Sequence, residues 1–247
     1  MDNIIFGRNT VLEALKNDRE IEKLLILKSA EGSIKVIEGM ARDKRIPIQY
    51  VDKAALDQIA LGQDGTGSHQ GVAATTTPYS YCEVEDLLSA AADRGEAPFL
   101  IILDGIEDPH NLGAIMRTAD GAGAHGIIIP KRRAASLTDT VAKASAGAVE
   151  YMPVAKVSNL VQTIEKLKDA GLWIAACDMD GKTYYQTDLK GPIAIVIGSE
   201  GVGVSRLIRE KCDYLVSLPM EGKIPSLNAS NAAAVLMYEI NRQRKEI

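Results

Sequence analysis

Cysteine is scarce in this chain: Cys82, Cys177 and Cys212 are the only three in 247 residues. Their number is odd and their spacing wide, which fits neither a disulfide framework nor a zinc site. Histidine is as sparse, and His69, His110 and His125 are scattered, so no structural metal is expected. No apolar run approaches the roughly 18 residues of a membrane span. The opening MDNIIFGRN has neither the basic start nor the apolar stretch of a secretory signal. Together these absences point to a cytoplasmic protein with no metal and no membrane partner. A basic excess is missing too. The net charge is −5 and the isoelectric point about 5.4, which argues against a nucleic-acid partner unless the charge is patchy. Two local basic clusters exist, PKRR at 130–133 and NRQRK at 241–245; taken alone, each reads as solvated surface or helix-end charge.

What is present is ample apolar sequence, 46% of residues, enough for one or two domains with proper cores. Short helical and extended patterns alternate through residues 1–77: helix at NTVLEALKN, strand at IEKLLILK, helix at GSIKVIEGMARDK, strand at IPIQYV, helix at KAALDQIAL, strand at GVAATTT. Residues 62–67 form a glycine-rich loop by composition. Residues 78–97 read as a linker with a short helix, and 98–247 as a second α/β unit. Strands are expected in that unit at 99–106, 125–130, 152–156, 172–178, 192–198 and 214–219, and a long helix from about Asn228 to Arg244. Such alternation predicts a mostly parallel sheet covered on both faces. Ligands bind such sheets outside the carboxyl ends of the strands, so candidate residues belong just after strands.

Three polar clusters stand there. The first is DGIEDPHNLGAIMRTADGAG from Asp104. Asp108-Pro109 is a helix-start signal, Leu112, Ile115, Met116 and Ala119 make an apolar stripe, Arg117 lies off it, and Asn111 stands at the helix entrance. Taken alone, they read as an N-cap asparagine and a solvated arginine. The second is IAIVIGSEGVGVS, with the carboxylate of Glu200 in a glycine-rich turn. A nicotinamide fingerprint fails here, because Arg206 stands where the third small residue belongs. The third is VSLPMEGKIPSLNASNAAAV, in which Ser226, Asn228, Ser230 and Asn231 crowd a helix start. One cap needs one such residue, so others are free to face a ligand. The clusters offer one arginine, one carboxylate and several amides and hydroxyls. They contain no reactive cysteine pair, no metal set and no G-x-x-x-x-G-K-[ST] phosphate loop. Methyl transfer fits, because an activated sulfonium needs the protein mainly to align a nucleophile.

NLGAIMRTA from Asn111, IGSEGVG from Ile197 and LPMEGKIPSLNAS from Leu218, in that order and at compatible spacing, resemble the three motifs of the SpoU (TrmH) family. These are S-adenosylmethionine-dependent RNA ribose 2′-O-methyltransferases of the SPOUT class. FGRNTVLEAL and SHQGVAA near the start are similar to the small substrate-binding domain of bacterial 23S rRNA guanosine 2′-O-methyltransferases. The resemblance implies an N-terminal RNA-binding domain over 1–77, then a SPOUT-type sheet with a C-terminal trefoil knot. It implies a homodimer with its active site near the subunit interface, and RNA as partner: a guanosine of 23S rRNA, with tRNA as the alternative. Arg117 and Asn111 correspond to the catalytic pair, with Glu200 orienting Arg117 and Ser226 and Asn228 positioning ribose or phosphate. Main-chain groups at Gly198, Leu218 and Leu227 hold the cofactor, and Ala176, Cys177, Gly201 and Met220 line its pocket. Asn231 departs from the small or apolar residue common in relatives and is given no catalytic role. Arg8, Lys131, Arg132 and Arg133 are expected to join Arg117 on a basic surface.

Overall fold

A computed structural model describes residues 3–16, 20–29, 32–63, 69–76 and 79–245. The chain divides by its contacts into two units, Met1–Pro78 and Tyr79–Ile247.

The first unit carries strands β1 (Asn3–Phe6), β2 (Ile21–Leu27), β3 (Ile48–Val51) and β4 (Val72–Thr76), and helices α1 (Arg8–Lys16), α2 (Ile34–Asp43) and α3 (Lys53–Gln63). The sheet order is β1-β4-β2-β3. β4 pairs antiparallel with β1 and β2, and β2 pairs parallel with β3. Alternation along the strands sends Leu24, Ile26, Val72 and Ala74 to one core, with Val11, Leu15, Ile34 and Ile37 of α1 and α2. It sends Leu25 and Ala73 to the opposite face, against Leu56 of α3. The edge strand β1 went unread in the sequence. Of the glycine-rich loop expected at 62–67, Leu61–Gln63 close α3 and residues 64–67 lie outside the described residues. The Arg8 guanidinium is engaged locally: Nε donates to the Gln70 carbonyl at 3.0 Å and Nη1 to Ser33 Oγ at 3.3 Å.

The second unit contains α4 (Val84–Asp93), β5 (Phe99–Asp104), α5 (Pro109–Ala122), β6 (Gly126–Pro130), α6 (Asp139–Ala144), β7 (Val154–Val157), α7 (Leu160–Asp169), β8 (Trp173–Thr183), β9 (Ile193–Gly198), α8 (Arg206–Arg209), β10 (Tyr214–Ser217) and α9 (Ala229–Lys245). Its six strands are all parallel, in the order β10-β8-β9-β5-β6-β7. Phe99, Ile101, Leu103, Ile193, Ile195 and Ile197 face the core that includes residues of α5 and α9. Leu100, Ile102, Ala194 and Val196 face the core that includes residues of α4 and α7. Burial on both faces is what makes β5 and β9 near-continuous apolar runs.

Three departures from the sequence reading follow from packing. Residues 79–97 are not a free linker. The Cys82 amide donates to the Val154 carbonyl at 3.0 Å, and Leu87 and Ala91 of α4 are buried. Gly126 makes room for that helix, since a Cβ there would stand 2.4 Å from Leu87 Cδ2. The strand expected over 99–106 ends at Asp104. β8 continues well past residue 178. Its pairing with β10 jumps from Leu215↔Ala176 to Val216↔Lys182, so residues 177–181 bulge out of the ladder.

Candidate active site at the carboxyl ends of the strands

The helix that follows β5 is started by Asp108, not by Asn111. The Asp108 side chain accepts the His110 amide at 2.9 Å, and Pro109 occupies the first turn. Asn111 is thereby free of capping duty, and its Nδ2 donates to Glu200 Oε1 at 2.9 Å. Asn228 is the residue that caps α9. Its Oδ1 accepts the Ser230 amide at 3.0 Å and also the Ser230 hydroxyl. Its Nδ2 donates to Asn111 Oδ1 at 2.9 Å and to Glu200 Oε1. One amide therefore ties together the starts of α5 and α9 and the loop after β9. Among the described residues Ser226 makes no side-chain hydrogen bond, and Asn231 contributes only its backbone amide to the Asn228 cap.

The loop after β9 is shaped by close backbone approach. A Cβ at Gly198 would stand 2.0 Å from the carbonyl carbon of Gly203, so only glycine lets the chain fold back onto the strand end. The Gly203 amide donates to the Ser199 carbonyl at 2.8 Å, closing the turn. Asp104, which the sequence reading passed over, holds this loop from the neighbouring strand: its Oδ2 accepts the Ser205 amide at 2.7 Å. Its only signal was its place as the last residue of β5.

The expected pairing of Glu200 with Arg117 is not made. Arg117 is exposed and has no hydrogen-bond or ion-pair partner among the described residues. Helical geometry gives the reason: six residues along α5 turn the side chain about 120° away from Asn111. The acceptor expected for the guanidinium is instead used by two side-chain amides.

Beside this cluster lies a cleft of about 460 Å3, within the usual range for small-ligand sites. Cys177, Gly198, Gly201, Leu218, Met220 and Leu227 line it, as do Glu200 and Ser226. Ala176 does not. Neighbouring strand residues face opposite ways, and Ala176 is fully buried in the core on the other face. Burial pushes the Cys177 thiol up to about 11, with the Asp178 charge adding to the effect, so Cys177 is a wall and not a nucleophile. The β8 bulge supplies Asp178, Met179 and Asp180, and α8 supplies Arg209. None of these was singled out in the sequence: Asp178, Met179 and Asp180 stand at the end of the strand expected there, and Arg209 carries no such mark. Arg209 Nη1 lies 3.3 Å from Asp178 Oδ2, and its Nη2 donates to Asp180 Oδ2 at 2.8 Å. These two carboxylates, the hydrogen bond first, raise the Arg209 pKa above its ordinary value.

Residues 98–238 match the family described as the SpoU rRNA Methylase family, and residues 4–82 match RNA 2′-O ribose methyltransferase substrate binding. YacO of Bacillus subtilis (strain 168), named as a TrmH family tRNA/rRNA methyltransferase, is 50% identical over 245 residues, covering 98% of this chain and 96% of its own. A Staphylococcus aureus (strain MSSA476) protein named for the same family is 45% identical over 248 residues, covering 100% and 98%. Among solved structures, the SpoU methyltransferase AviRb from Streptomyces viridochromogenes, in complex with AdoMet, superposes with a TM-score of 0.61 at 25% identity, covering 99% of this chain and 91% of that one. The A. aeolicus TrmH/SpoU tRNA modifying enzyme does so with a TM-score of 0.57 at 29% identity, covering 61% and 77%. The cleft suits that cofactor chemically. Ile197, Val204, Leu218 and Leu227 offer apolar walls for a purine, and carboxylates face a ligand that carries a sulfonium. The chain belongs to the SpoU (TrmH) family of S-adenosylmethionine-dependent RNA methyltransferases.

Proposed function

We propose that the protein methylates a ribose 2′-hydroxyl in RNA, a guanosine of 23S rRNA, and does so as a cytoplasmic homodimer. The observation that carries the reading is the hydrogen-bonded Asn111–Glu200–Asn228 cluster beside a cleft of cofactor size. It offers fixed amide donors and one carboxylate at the mouth, which suits a polar hydroxyl nucleophile. The match of residues 4–82 to RNA 2′-O ribose methyltransferase substrate binding supports ribose as the target and the first unit as the part that holds RNA.

The cofactor supplies an activated methyl group, and the chain's residues do the rest. Asn228 and Asn111 fix the Glu200 carboxylate, and Ser226 and Asn228 place the ribose or its phosphate. The Arg117 guanidinium carries a positive charge on a planar fork of donors, so it binds the adjacent phosphate and stabilises the developing alkoxide. The proton passes to phosphate or water. Arg117 stands apart from the cluster of its own chain, and a second copy of the chain is the natural source of the guanidinium. Supporting a dimer, α9 exposes Val235 and Tyr238, and the preceding loop exposes Met220, Ile224 and Leu227. The family resemblance also carries the trefoil knot; a strand order in which β9 lies between β8 and β5, with β10 outside β8, supports it.

The test is methyl transfer to rRNA and tRNA transcripts, followed by partial alkaline hydrolysis of the product. A 2′-O-methyl group blocks cleavage at one position, leaving a single gap in the 23S ladder. A methyl group on a base, which leaves the ladder complete, overturns the ribose assignment. A gap in tRNA alone overturns the rRNA assignment.

A further inference from the structure

Among the described residues the cofactor cleft is lined by one cation and three carboxylates: Arg209 against Asp178, Asp180 and Glu200. Glu200 is committed to the amide cluster through Oε1. The other three form a separate group. Asp178 is held at both ends: Oδ1 accepts the Asp180 amide at 2.9 Å, Oδ2 faces Arg209, and the side chain is only 14% exposed. Asp180 gives one oxygen to Arg209 but is 72% exposed, and its other oxygen makes no hydrogen bond among the described residues. Both aspartates reach the cleft only because residues 177–181 of β8 bulge out of the ladder with β10.

We propose that this triad makes the cleft discriminate by charge between the sulfonium cofactor and its neutral thioether product, with Asp180 as the specificity-determining carboxylate. The inference rests on the cofactor and on methyl transfer, not on which RNA hydroxyl is modified. In that transfer the methyl carbon forms a bond to oxygen and breaks its bond to sulfur. The bonding pair stays on sulfur, which becomes a thioether, and the hydroxyl proton leaves to solvent or phosphate. The ligand therefore changes from a net charge of +1 to neutral within the cleft. A surplus of carboxylates attracts the first species and is indifferent to the second. Arg209 tempers that surplus on both aspartates, and Asp180, exposed and with a second oxygen that makes no hydrogen bond among the described residues, is the carboxylate left to act on the ligand beside Glu200. A unit charge on a half-solvated wall several ångströms away changes affinity by about three- to tenfold.

The experiment titrates the full chain by calorimetry with S-adenosylmethionine and with S-adenosylhomocysteine, without RNA. The quantity read is the ratio of the two dissociation constants. Asp180→Asn shifts the ratio about three- to tenfold against the sulfonium. Asp180→Lys, at the same exposed position, shifts it further. Arg209→Gln shifts it the other way, and all three shifts shrink in about 1 M salt. A merely structural triad weakens both ligands equally and leaves the ratio unmoved, which overturns the proposal. So does a shift of the same sign for Asp180→Asn and Arg209→Gln. A wild-type chain that binds neither ligand overturns the cofactor reading itself, and the proposal with it.

Discussion

Arg117 and Arg244 sit in the same unit and do opposite things. Arg244, near the end of α9, donates to the carbonyls of Ala97, Pro98 and Gly191 at 2.8–2.9 Å, and its guanidinium stands 5.3 Å from the centre of the Phe99 ring. It binds the last helix to the amino-terminal ends of β5 and β9. Close by, the buried His125 accepts the Phe99 amide through Nδ1 at 3.0 Å and donates from Nε2 to Glu96. Arg117, midway along α5, is exposed and has no partner among the described residues, and at the carboxyl end of the sheet Glu200 and Asn228 are exposed. The amino end of the sheet uses its charged groups up on itself, which makes them structural. Arg117 is left available, which makes it chemical. Residue type does not separate the two roles; saturation of hydrogen bonds does.

The comparison breaks most visibly if the two arginines are removed in turn. Arg117→Ala lowers methylation by about 10²–10³-fold while leaving the unfolding midpoint and cofactor affinity at wild-type values. Turnover, calorimetric binding and urea denaturation of one preparation check all three. Arg244→Ala does the reverse. Carbonyls that lose a charged donor inside the fold cost about 2–4 kcal/mol, read from urea unfolding, while the folded fraction keeps its turnover per molecule. Equal losses of stability in both variants would abolish the distinction.

His125 sharpens the comparison through pH. Burial lowers its pKa below the ordinary 6.5, partly opposed by Glu96. The unfolded chain then binds the proton first, so the stability tied to neutral His125 is whole above pH 6.5 and is lost as pH falls through the folded-state value. In His125→Gln that titration is gone. The stability gap between wild type and variant should narrow as pH falls below about 6.5, and urea midpoints at stepped pH measure it. A gap independent of pH would mean that the imidazole does not titrate in the fold.

The smallest expected effect is at Lys131, Arg132 and Arg133, all exposed just past β6. If they touch phosphate, replacing all three by alanine lowers the salt slope of RNA binding by about 0.7–0.9 per contact. Unchanged affinity and slope would leave the RNA footprint to the first unit or to a second copy of the chain.

Much of the architecture was legible because it is local. The parallel sheet follows from apolar strands alternating with helical stripes, and the motif loops follow from glycine, proline and cap residues placed just after strands. The readings that failed share one trait, a dependence on a distant partner. Asn111 looks like a cap until Asp108 is seen to take that role, and then its amide proves to serve Glu200, 89 residues away. The segment 78–97 looks like a linker because nothing within it shows that Leu87 has a socket over Gly126. Ala176 and Cys177 read as equals, and only the facing of β8 sends one into a core and the other into the cleft.

The order of elements, the apolar faces and the identity of the motif residues were properties of the sequence itself, set by spacings of two and of about 3.6 residues that any chain must obey. The bulge that brings Asp178 and Asp180 to Arg209, the carboxylate of Asp104 under the Ser205 amide, and the Asn228 amide that joins Asn111 to Glu200 were decided by the tertiary structure. Such contacts join residues whose separation along the chain carries no period, so they exist only once strands have chosen their neighbours and their register.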